Sequence, residues 1–75
     1  MKKIFSDDAW DDYLYWQAQD KKTLKRINIL LLDIERNGHV GIGKLELLKG
    51  QAGYWSRRIN EKDRLVYKIV DDAIL

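Results

Sequence analysis

The chain of 75 residues contains no cysteine and only one histidine. It can therefore form no disulfide, no thiolate zinc site and no cysteine nucleophile, and a single imidazole cannot build a histidine-rich metal site. Its longest aliphatic run, residues 29–32, is far shorter than the roughly 20 residues that span a bilayer. Asp7 and Asp8 interrupt the N-terminal stretch that a signal peptide must keep apolar. We expect a cytoplasmic domain with no metal, no cofactor and no membrane contact.

The composition indicates one folded domain, residues 1–75. Hydrophobic residues make up 45% of the chain and aromatic residues 11%, which is too apolar for a disordered tail. The net charge of +2 conceals an uneven distribution, because the first 20 residues sum to −3 whereas residues 21–68 sum to +7. Basic residues that lie among aromatic ones favour a polyanion as partner. A solvated helix face remains the simpler explanation for the early basic group, which comprises Lys21, Lys22, Lys25 and Arg26.

Two helices are expected in the first half of the chain. Ser6 offers an N-cap hydroxyl to a helix that runs through Gln17. Asp20 can cap a second helix, whose apolar residues recur at intervals of three and four until Gly38 supplies a C-terminal stop. The aromatic residues of the first helix are expected to lie mostly in the core: Trp10, Tyr13 and Trp16.

The second half of the chain has the alternating pattern of strands. Strand candidates lie at residues 2–5, 45–48, 54–59 and 64–70, and residues 73–75 look like the start of another. The order β-α-α-β-β-β predicts an α+β domain, in which two N-terminal helices pack on one face of a small antiparallel sheet. The last strand of this sheet is expected to be cut short.

A basic cluster with one carboxylate is the main candidate site. Alternation turns Leu65, Tyr67 and Ile69 toward the helices, so that Arg64 and Lys68 face away from them. A bulged hairpin turn would put Arg58 beside Arg64. Paired guanidinium groups on an open sheet face suit phosphate oxygens. The later basic residues are Lys44, Lys49, Arg57, Arg58, Arg64 and Lys68.

Glu46 lies among these basic residues, and its role stays open between two alternatives. An ionised carboxylate near a bound RNA phosphate can take the proton of a ribose 2′-hydroxyl. Alternatively, Glu46 forms an ordinary surface salt bridge with an arginine, which contributes little to stability.

Two further features, a glycine-rich pattern and the single histidine, are not expected to be functional sites. Residues 38–44 satisfy the pattern G-x-x-x-x-G-K, but the segment follows a helix, precedes a strand and continues with Leu45 where a P-loop has Ser or Thr. It is therefore expected to be a flexible connection rather than a nucleotide site. His39 lies in this glycine loop and is expected to be a solvated side chain.

The chain closely resembles the YoeB toxins of the RelE/ParE superfamily of bacterial toxin–antitoxin systems, almost without gaps from Met1 to Leu75. The segments that carry the resemblance are residues 10–17 (Trp-Asp-Asp-Tyr-Leu-Tyr-Trp-Gln), 41–49 (Gly-Ile-Gly-Lys-Leu-Glu-Leu-Leu-Lys), 55–59 (Trp-Ser-Arg-Arg-Ile) and 64–67 (Arg-Leu-Val-Tyr).

The resemblance implies an activity and a set of partners. The activity is that of a metal-independent endoribonuclease that cuts mRNA in the ribosomal A site and arrests translation. The usual partner is a YefM-type antitoxin, operator DNA is contacted only through that antitoxin, and the toxin alone is commonly a homodimer. Residue by residue, Glu46 matches the catalytic carboxylate and Arg64 the transition-state arginine, while Lys44, Lys49 and Arg58 match residues that contact RNA.

The sequence departs from the family at its C-terminal end. Members of the family continue past the position of Leu75 with a Cys-Arg/Lys-x-His-Tyr-like tail, in which the histidine serves as general acid and the tyrosine helps to hold RNA. His39 lies in the wrong segment to replace that histidine. Since the loss of a general acid typically costs about 10²–10⁴-fold in rate, we expect residues 1–75 to keep the fold and the antitoxin surface with little cleavage activity.

Two other classes of function are considered beside the nuclease. One is an inactive truncated toxin that acts only as an antitoxin-binding module, for which a change at Glu46 would have no effect. The other is a gyrase inhibitor on the same fold, which would not need Glu46 and Arg64, so the presence of this pair speaks against it.

Overall fold

The computed structural model describes residues 1–50 and 52–74. In this part of the chain a short strand precedes two helices, and five strands follow. The elements are β1 (Lys2–Lys3), α1 (Asp7–Gln19), α2 (Lys21–Asn37), β2 (Glu46–Leu47), β3 (Trp55–Arg58), β4 (Arg64–Tyr67), β5 (Ile69–Val70) and β6 (Ala73–Ile74). Within these residues, neither helix has the length and apolar character needed to cross a membrane.

The helix ends are fixed by the capping residues that the sequence predicts. Ser6 Oγ accepts the backbone N–H of Ala9 at 3.1 Å, which satisfies one of the free donors at the start of α1. The carboxylate of Asp20 accepts the backbone N–H and the hydroxyl of Thr23 at 3.2 and 2.7 Å. These hydrogen bonds lower the pKa of Asp20. At the other end of α2, Gly38 adopts a φ of +64° and ends the helix.

The strands form two small sheets. In one, β2, β3 and β4 pair antiparallel in that order. In the other, β6 pairs antiparallel with β5 on one side and parallel with β1 on the other. The α+β fold is confirmed. The strands form two sheets rather than the single antiparallel sheet predicted, because the strand predicted over 64–70 is divided at Lys68. Leu75, with which the predicted last strand ends, lies outside the described residues.

The core lies between α2 and the inner face of the strands. Ile34 of α2, Tyr67 of β4 and Ile74 of β6 are each at most 3% exposed and form one cluster. Leu65 and Ile69 pack against this cluster, so the predicted alternation is confirmed. Burying each large apolar side chain of this kind contributes roughly 1.5–3 kcal/mol.

The aromatic residues of α1 are less buried than the sequence predicts. No residue of α1 is fully buried, and Trp10 remains 46% exposed. The helix instead forms a surface cluster, in which the ring of Trp10 stacks on Tyr13 at 5.7 Å and meets Phe5 edge-on at 5.5 Å. The prediction that Trp10 lies in the core is therefore wrong, because α1 packs mainly along α2 and leaves its N-terminal turn open.

Candidate functional site

The register of β2, β3 and β4 brings Glu46 and two arginines to one side of the sheet. Glu46 stands opposite Ser56, and Ser56 stands opposite Val66. Two residues further along the same strands, Arg58 stands opposite Arg64. Since residues two apart share a face and strands rise about 3.3 Å per residue, the two rows are about 7 Å apart. We call the surface formed by these five residues the Glu46 face.

Arg64 is held in place by hydrogen bonds on the Glu46 face. Its Nε donates to Ser56 Oγ at 2.8 Å, and its Nη2 donates to the backbone carbonyls of Lys44 and Ser56 at 2.5 and 3.3 Å. Within the described residues, Nη1 has no hydrogen-bond partner. A fixed guanidinium with two N–H groups left over is well arranged to bind an additional anionic oxygen.

Ser56 is a residue of the site that sequence reasoning did not single out. Its side chain is almost fully buried, with 1% exposed, because the guanidinium of Arg64 covers it. The sequence indicated its place in one way only: Ser56 lies two residues before Arg58, so strand alternation puts both side chains on the outward face of β3. A small hydroxyl there leaves room for the arginine and offers it an acceptor.

The carboxylate of Glu46 is open. Glu46 is exposed on β2, and none of residues 1–50 and 52–74 makes a side-chain hydrogen bond or an ion pair with it. The alternative of a salt bridge between Glu46 and an arginine is therefore not found among these residues. An exposed carboxylate in the row next to a pair of arginines can act as a proton acceptor near a bound phosphate.

The three residues predicted to contact RNA take different places around this face. Arg58 lies on it, and the Arg58 backbone N–H is bonded to the carbonyl of Gly43 at 2.5 Å. Lys44 adopts a φ of +46° at the rim, where its carbonyl holds Arg64. Lys49 is exposed in the turn after β2. Its backbone lies beyond the strand pairing, so the register does not assign it to the Glu46 face.

Arg57 belongs to the opposite side of the sheet. It is 0% exposed and points toward α2, where its guanidinium pairs with the carboxylate of Asp33. Grouping Arg57 with the basic site residues is therefore wrong. Alternation with Trp55 sends it inward, and its charge is tolerated there because acceptors surround it. The hydrogen bonds from Arg57 and from the Ile42 backbone N–H lower the pKa of Asp33.

Lys68 lies beyond the strand pairing that defines the Glu46 face. It falls in the break between β4 and β5, where its Nζ lies 5.4 Å from the ring centroid of Tyr54. This distance is within the range of a cation–π contact. Four residues of chain separate Lys68 from Arg64, which corresponds to about 13 Å along an extended strand.

His39 is exposed, as the sequence predicts, but one side of its ring packs against aromatic residues. Its ring stacks on that of Trp55 at 4.4 Å between centroids, and Nδ1 lies 3.5 Å from the hydroxyl of Tyr67. Burial of the ring, together with the nearby Arg57 guanidinium, lowers the pKa of His39 below its usual 6.5. Trp55 and Tyr67 are on the inner side of the sheet, so His39 does not reach the Glu46 face.

A cavity between α1 and the sheet is separate from Glu46. It has a volume of about 540 Å³ and lies between α1 and β4, with Tyr13, Trp16 and Leu65 among its walls. Arg64 touches its edge, but Glu46, Lys44 and Arg58 do not line it. The polar groups that can carry chemistry are thus on the open sheet surface rather than in this cavity.

Comparison with known proteins assigns the family. Residues 5–75 match the family described as the YoeB-like toxin of bacterial type II toxin–antitoxin systems. The whole chain is 53% identical to Toxin YoeB of Escherichia coli K12 and covers 90% of that protein. It is 49% identical to Toxin YoeB of Streptomyces coelicolor, again over the whole chain and 90% of the relative.

Solved structures agree with this result. The YoeB dimer from Staphylococcus aureus superposes with a TM-score of 0.95 at 51% identity, over 99% of this chain and 87% of that one. A heterotetrameric YoeB–YefM toxin–antitoxin complex from the same organism gives 0.93 at 51% identity, with the same coverage. A YoeB/ParE toxin from Agrobacterium tumefaciens gives 0.95 at 40% identity, over 99% of this chain and 90% of that one. The chain therefore belongs to the YoeB-like toxin family of bacterial type II toxin–antitoxin systems.

Proposed function

We propose that this protein is a ribosome-dependent endoribonuclease, which cleaves mRNA in the cytoplasm and thereby inhibits translation. The observation that carries the proposal is the placement of the Glu46 carboxylate, which has no side-chain partner among residues 1–50 and 52–74, on the same open face as Arg58 and Arg64. Family membership supports the same assignment. An open sheet face suits a substrate that another particle, here the ribosome, presents in a fixed geometry.

In the proposed reaction Glu46 acts as general base. Its carboxylate takes the proton of a ribose 2′-hydroxyl, and the resulting oxygen attacks the adjacent phosphorus. The bond from phosphorus to the 5′-oxygen of the next nucleotide breaks, which leaves a 2′,3′-cyclic phosphate on one product. The departing 5′-oxygen takes up a proton from solvent water and becomes the hydroxyl end of the other product.

The basic residues stabilise the charge that develops on the phosphate. Arg64 is already oriented by Ser56, and its free Nη1 can donate to a phosphate oxygen as the pentacovalent state forms. Arg58 lies directly beside it, while Lys44 and Lys49 hold flanking phosphates. Because the arginine is oriented before substrate binds, little reorganisation is needed during the reaction.

The partner proposed for this toxin is a YefM-type antitoxin. The Staphylococcus aureus relative is described as a complex with YefM and also as a dimer, and we extend both assemblies to this chain. An acidic antitoxin segment that lies over Arg58 and Arg64 would block RNA from the Glu46 face. Binding of the antitoxin without any RNA cleavage remains the alternative function.

A ribosome-bound mRNA cleavage assay tests the nuclease proposal. We expect Glu46→Gln to reduce the single-turnover cleavage rate by about 10²–10⁴-fold, as for the loss of a general base. The matched control is Glu61→Gln, which changes an exposed glutamate in the turn after β3 and should leave the rate unchanged.

Two results would contradict the proposal. If the two variants cut mRNA at the same rate, Glu46 is not the base. If the unchanged protein cuts no mRNA but binds a YefM-type antitoxin, the binding-module function replaces the nuclease. The antitoxin affinity of both variants is measured by calorimetry alongside cleavage. Neither substitution alters the folded core, so both variants should bind the antitoxin, and a difference in cleavage then reports on Glu46 alone.

A further inference from the structure

The buried arginine on the inner side of the sheet is saturated with hydrogen bonds. Arg57 has five N–H groups, and each has an acceptor although the side chain is 0% exposed. The acceptors are the Tyr67 hydroxyl at 3.3 Å, the Asp33 carboxylate, and the carbonyls of Ile42 at 3.2 Å, Gly38 at 2.6 Å and Val40 at 2.9 Å.

Three of these acceptors belong to one loop. Residues 38–42 connect α2 to the segment before β2, and their alternate carbonyls all turn inward to Arg57. The apolar side chains of the loop do little to anchor it, since Val40 is 66% exposed and Ile42 is 42% exposed. The loop is therefore held mainly by polar contacts, together with the stacking of the His39 ring on Trp55.

Asp33 completes this arrangement from α2. Its Oδ2 accepts from Arg57 and from the backbone N–H of Ile42 at 3.1 Å, while Oδ1 accepts from Asn37 at 2.7 Å. Gly41 has a φ of +122°, and a Cβ built there would lie 2.0 Å from Asp33 Oδ2. Only glycine lets the loop backbone approach the carboxylate this closely.

The same segment continues directly into the Glu46 face. After the loop, the carbonyl of Gly43 accepts the backbone N–H of Arg58 at 2.5 Å. The next carbonyl, that of Lys44, accepts from Nη2 of Arg64 at 2.5 Å. Residues 38–44 are thus hydrogen-bonded to Arg57 on the inner side of the sheet, and they also accept hydrogen bonds from Arg58 and Arg64.

We propose that Arg57 and Asp33 are positioning residues for the RNA site. They fix residues 38–44, so that the carbonyl of Lys44 holds the guanidinium of Arg64 at the orientation needed for phosphate. The consequence for cleavage rests on the nuclease function proposed above, whereas the positioning itself is a property of the folded chain. The two can therefore be tested separately.

The test uses Arg57→Lys, which keeps the positive charge but leaves a single nitrogen with three N–H groups to serve five acceptors. Hydrogen exchange at the backbone amides of residues 38–44 should accelerate by about tenfold or more, because bonds to a charged donor are lost. The NMR signal of the Arg64 Nε–H should shift and exchange faster. Methyl signals of Ile34 and Ile74 report that the core is intact.

Arg36→Lys is the matched control. Arg36 is an exposed arginine in the last turn of α2, and its replacement should change neither the exchange rates nor the Arg64 signal. If Arg57→Lys is folded and leaves both readouts as in the unchanged protein, the proposal is overturned, whatever the protein does to RNA.

A glycine pair provides a second test should Arg57→Lys fail to fold. Gly41→Ala forces the loop away from Asp33 while leaving Arg57 in place. Gly50→Ala has a similar positive φ of +79° but meets no atom within 4 Å. We expect faster exchange at residues 38–44 and a shifted Arg64 signal only for Gly41→Ala, and equal behaviour of the two variants would refute the proposal.

Cleavage kinetics then separate positioning from general stability. Arg57→Lys should lower kcat by about tenfold or more with little change in KM, because Arg64 acts mainly on the transition state. A rise in KM with unchanged kcat would overturn the proposed link to Arg64. If the unchanged protein cleaves no RNA, the exchange and NMR measurements still decide whether Arg57 orients Arg64.

Discussion

Arg58 and Arg64 stand directly opposite each other on β3 and β4, although both side chains are positively charged. Like charges at such a position destabilise a sheet, by roughly 0.2–1 kcal/mol. Arg64 relieves part of this repulsion by turning its guanidinium toward Ser56 and the carbonyl of Lys44. An arrangement that costs stability and concentrates positive charge is typical of a site built to bind anions.

Replacing Arg58 should separate stability from binding. We expect Arg58→Thr to raise the free energy of unfolding by up to about 1 kcal/mol, since the opposing charge is removed and threonine suits a strand. The same variant should bind an RNA oligonucleotide more weakly and lower the slope of log K against log salt by about 1. Urea unfolding and salt-dependent titration measure the two effects.

The control for this pair is Lys2→Thr in β1. Lys2 lies opposite Ala73 rather than a second cation, so its loss should leave stability nearly unchanged. If Arg58→Thr is less stable than the unchanged protein, the cross-strand repulsion is not a significant cost.

Ser56→Ala should impair cleavage more than it impairs folding. The substitution removes the hydroxyl that accepts from Arg64 Nε at 2.8 Å, at a cost of about 1 kcal/mol in stability. Because Arg64 then loses one of the acceptors that orient it and keeps only the backbone carbonyls of Lys44 and Ser56, kcat should fall by about tenfold while KM changes little. Single-turnover cleavage and urea unfolding, measured on the same preparations, give both quantities.

Ser6→Ala is the matched comparison. It removes a serine hydroxyl that accepts the backbone N–H of Ala9 at 3.1 Å in the cap of α1, and loss of such a cap costs about 1 kcal/mol. The role of Ser56 is supported if both variants lose a similar amount of stability but only Ser56→Ala has a lower kcat, while Ser6→Ala keeps the kcat of the unchanged protein. If the two variants have equal kcat values, Ser56 does not orient Arg64 for cleavage.

Stability should decline as the pH falls below about 6.5 because of His39. Its pKa is lowered in the folded protein from the usual 6.5, so the unfolded chain binds the proton first. Stability is complete above pH 6.5 and decreases as the pH falls toward the lowered folded value, below which this decrease ends. Urea unfolding between pH 5 and 8 should show the decline.

His39→Gln should remove this part of the pH dependence. In His39→Gln a separate loss of stability should remain in stronger acid, below the usual carboxyl pKa of 3.8. It arises because the pKa values of Asp20 and Asp33 are lowered in the folded protein, so these carboxylates lose their stabilising ionised form there. An unchanged profile between pH 5 and 7 in His39→Gln would show that the ring is not the group responsible.

Local rules predict much of this fold and of its site. The caps at Ser6 and Asp20 follow from side chains that reach only a few residues along the chain. The hairpin register that places Arg58 beside Arg64 follows from alternation and a short turn. Such features depend on neighbouring residues, which a sequence displays directly.

Features that depend on distant residues could not be obtained in this way. The burial of Arg57 requires Asp33 and the carbonyls of a loop, and no local pattern shows that these acceptors converge. The break at Lys68 arises because the chain leaves one sheet at Tyr67 and joins the other at Ile69. The family resemblance supplied Glu46 and Arg64 as a pair, whereas the role of Ser56 became visible only in the structure.

The parallel pairing of β1 with β6 has a consequence for how the molecule folds. Lys2 and Ala73 are partners although almost the whole chain lies between them. Bringing such distant segments together costs more loop-closure entropy than forming the helical hairpin or the β3–β4 hairpin. The helices, the Glu46 face and the local β5–β6 hairpin can therefore assemble before β1 pairs with β6, and we expect the β1–β6 pairing to form last.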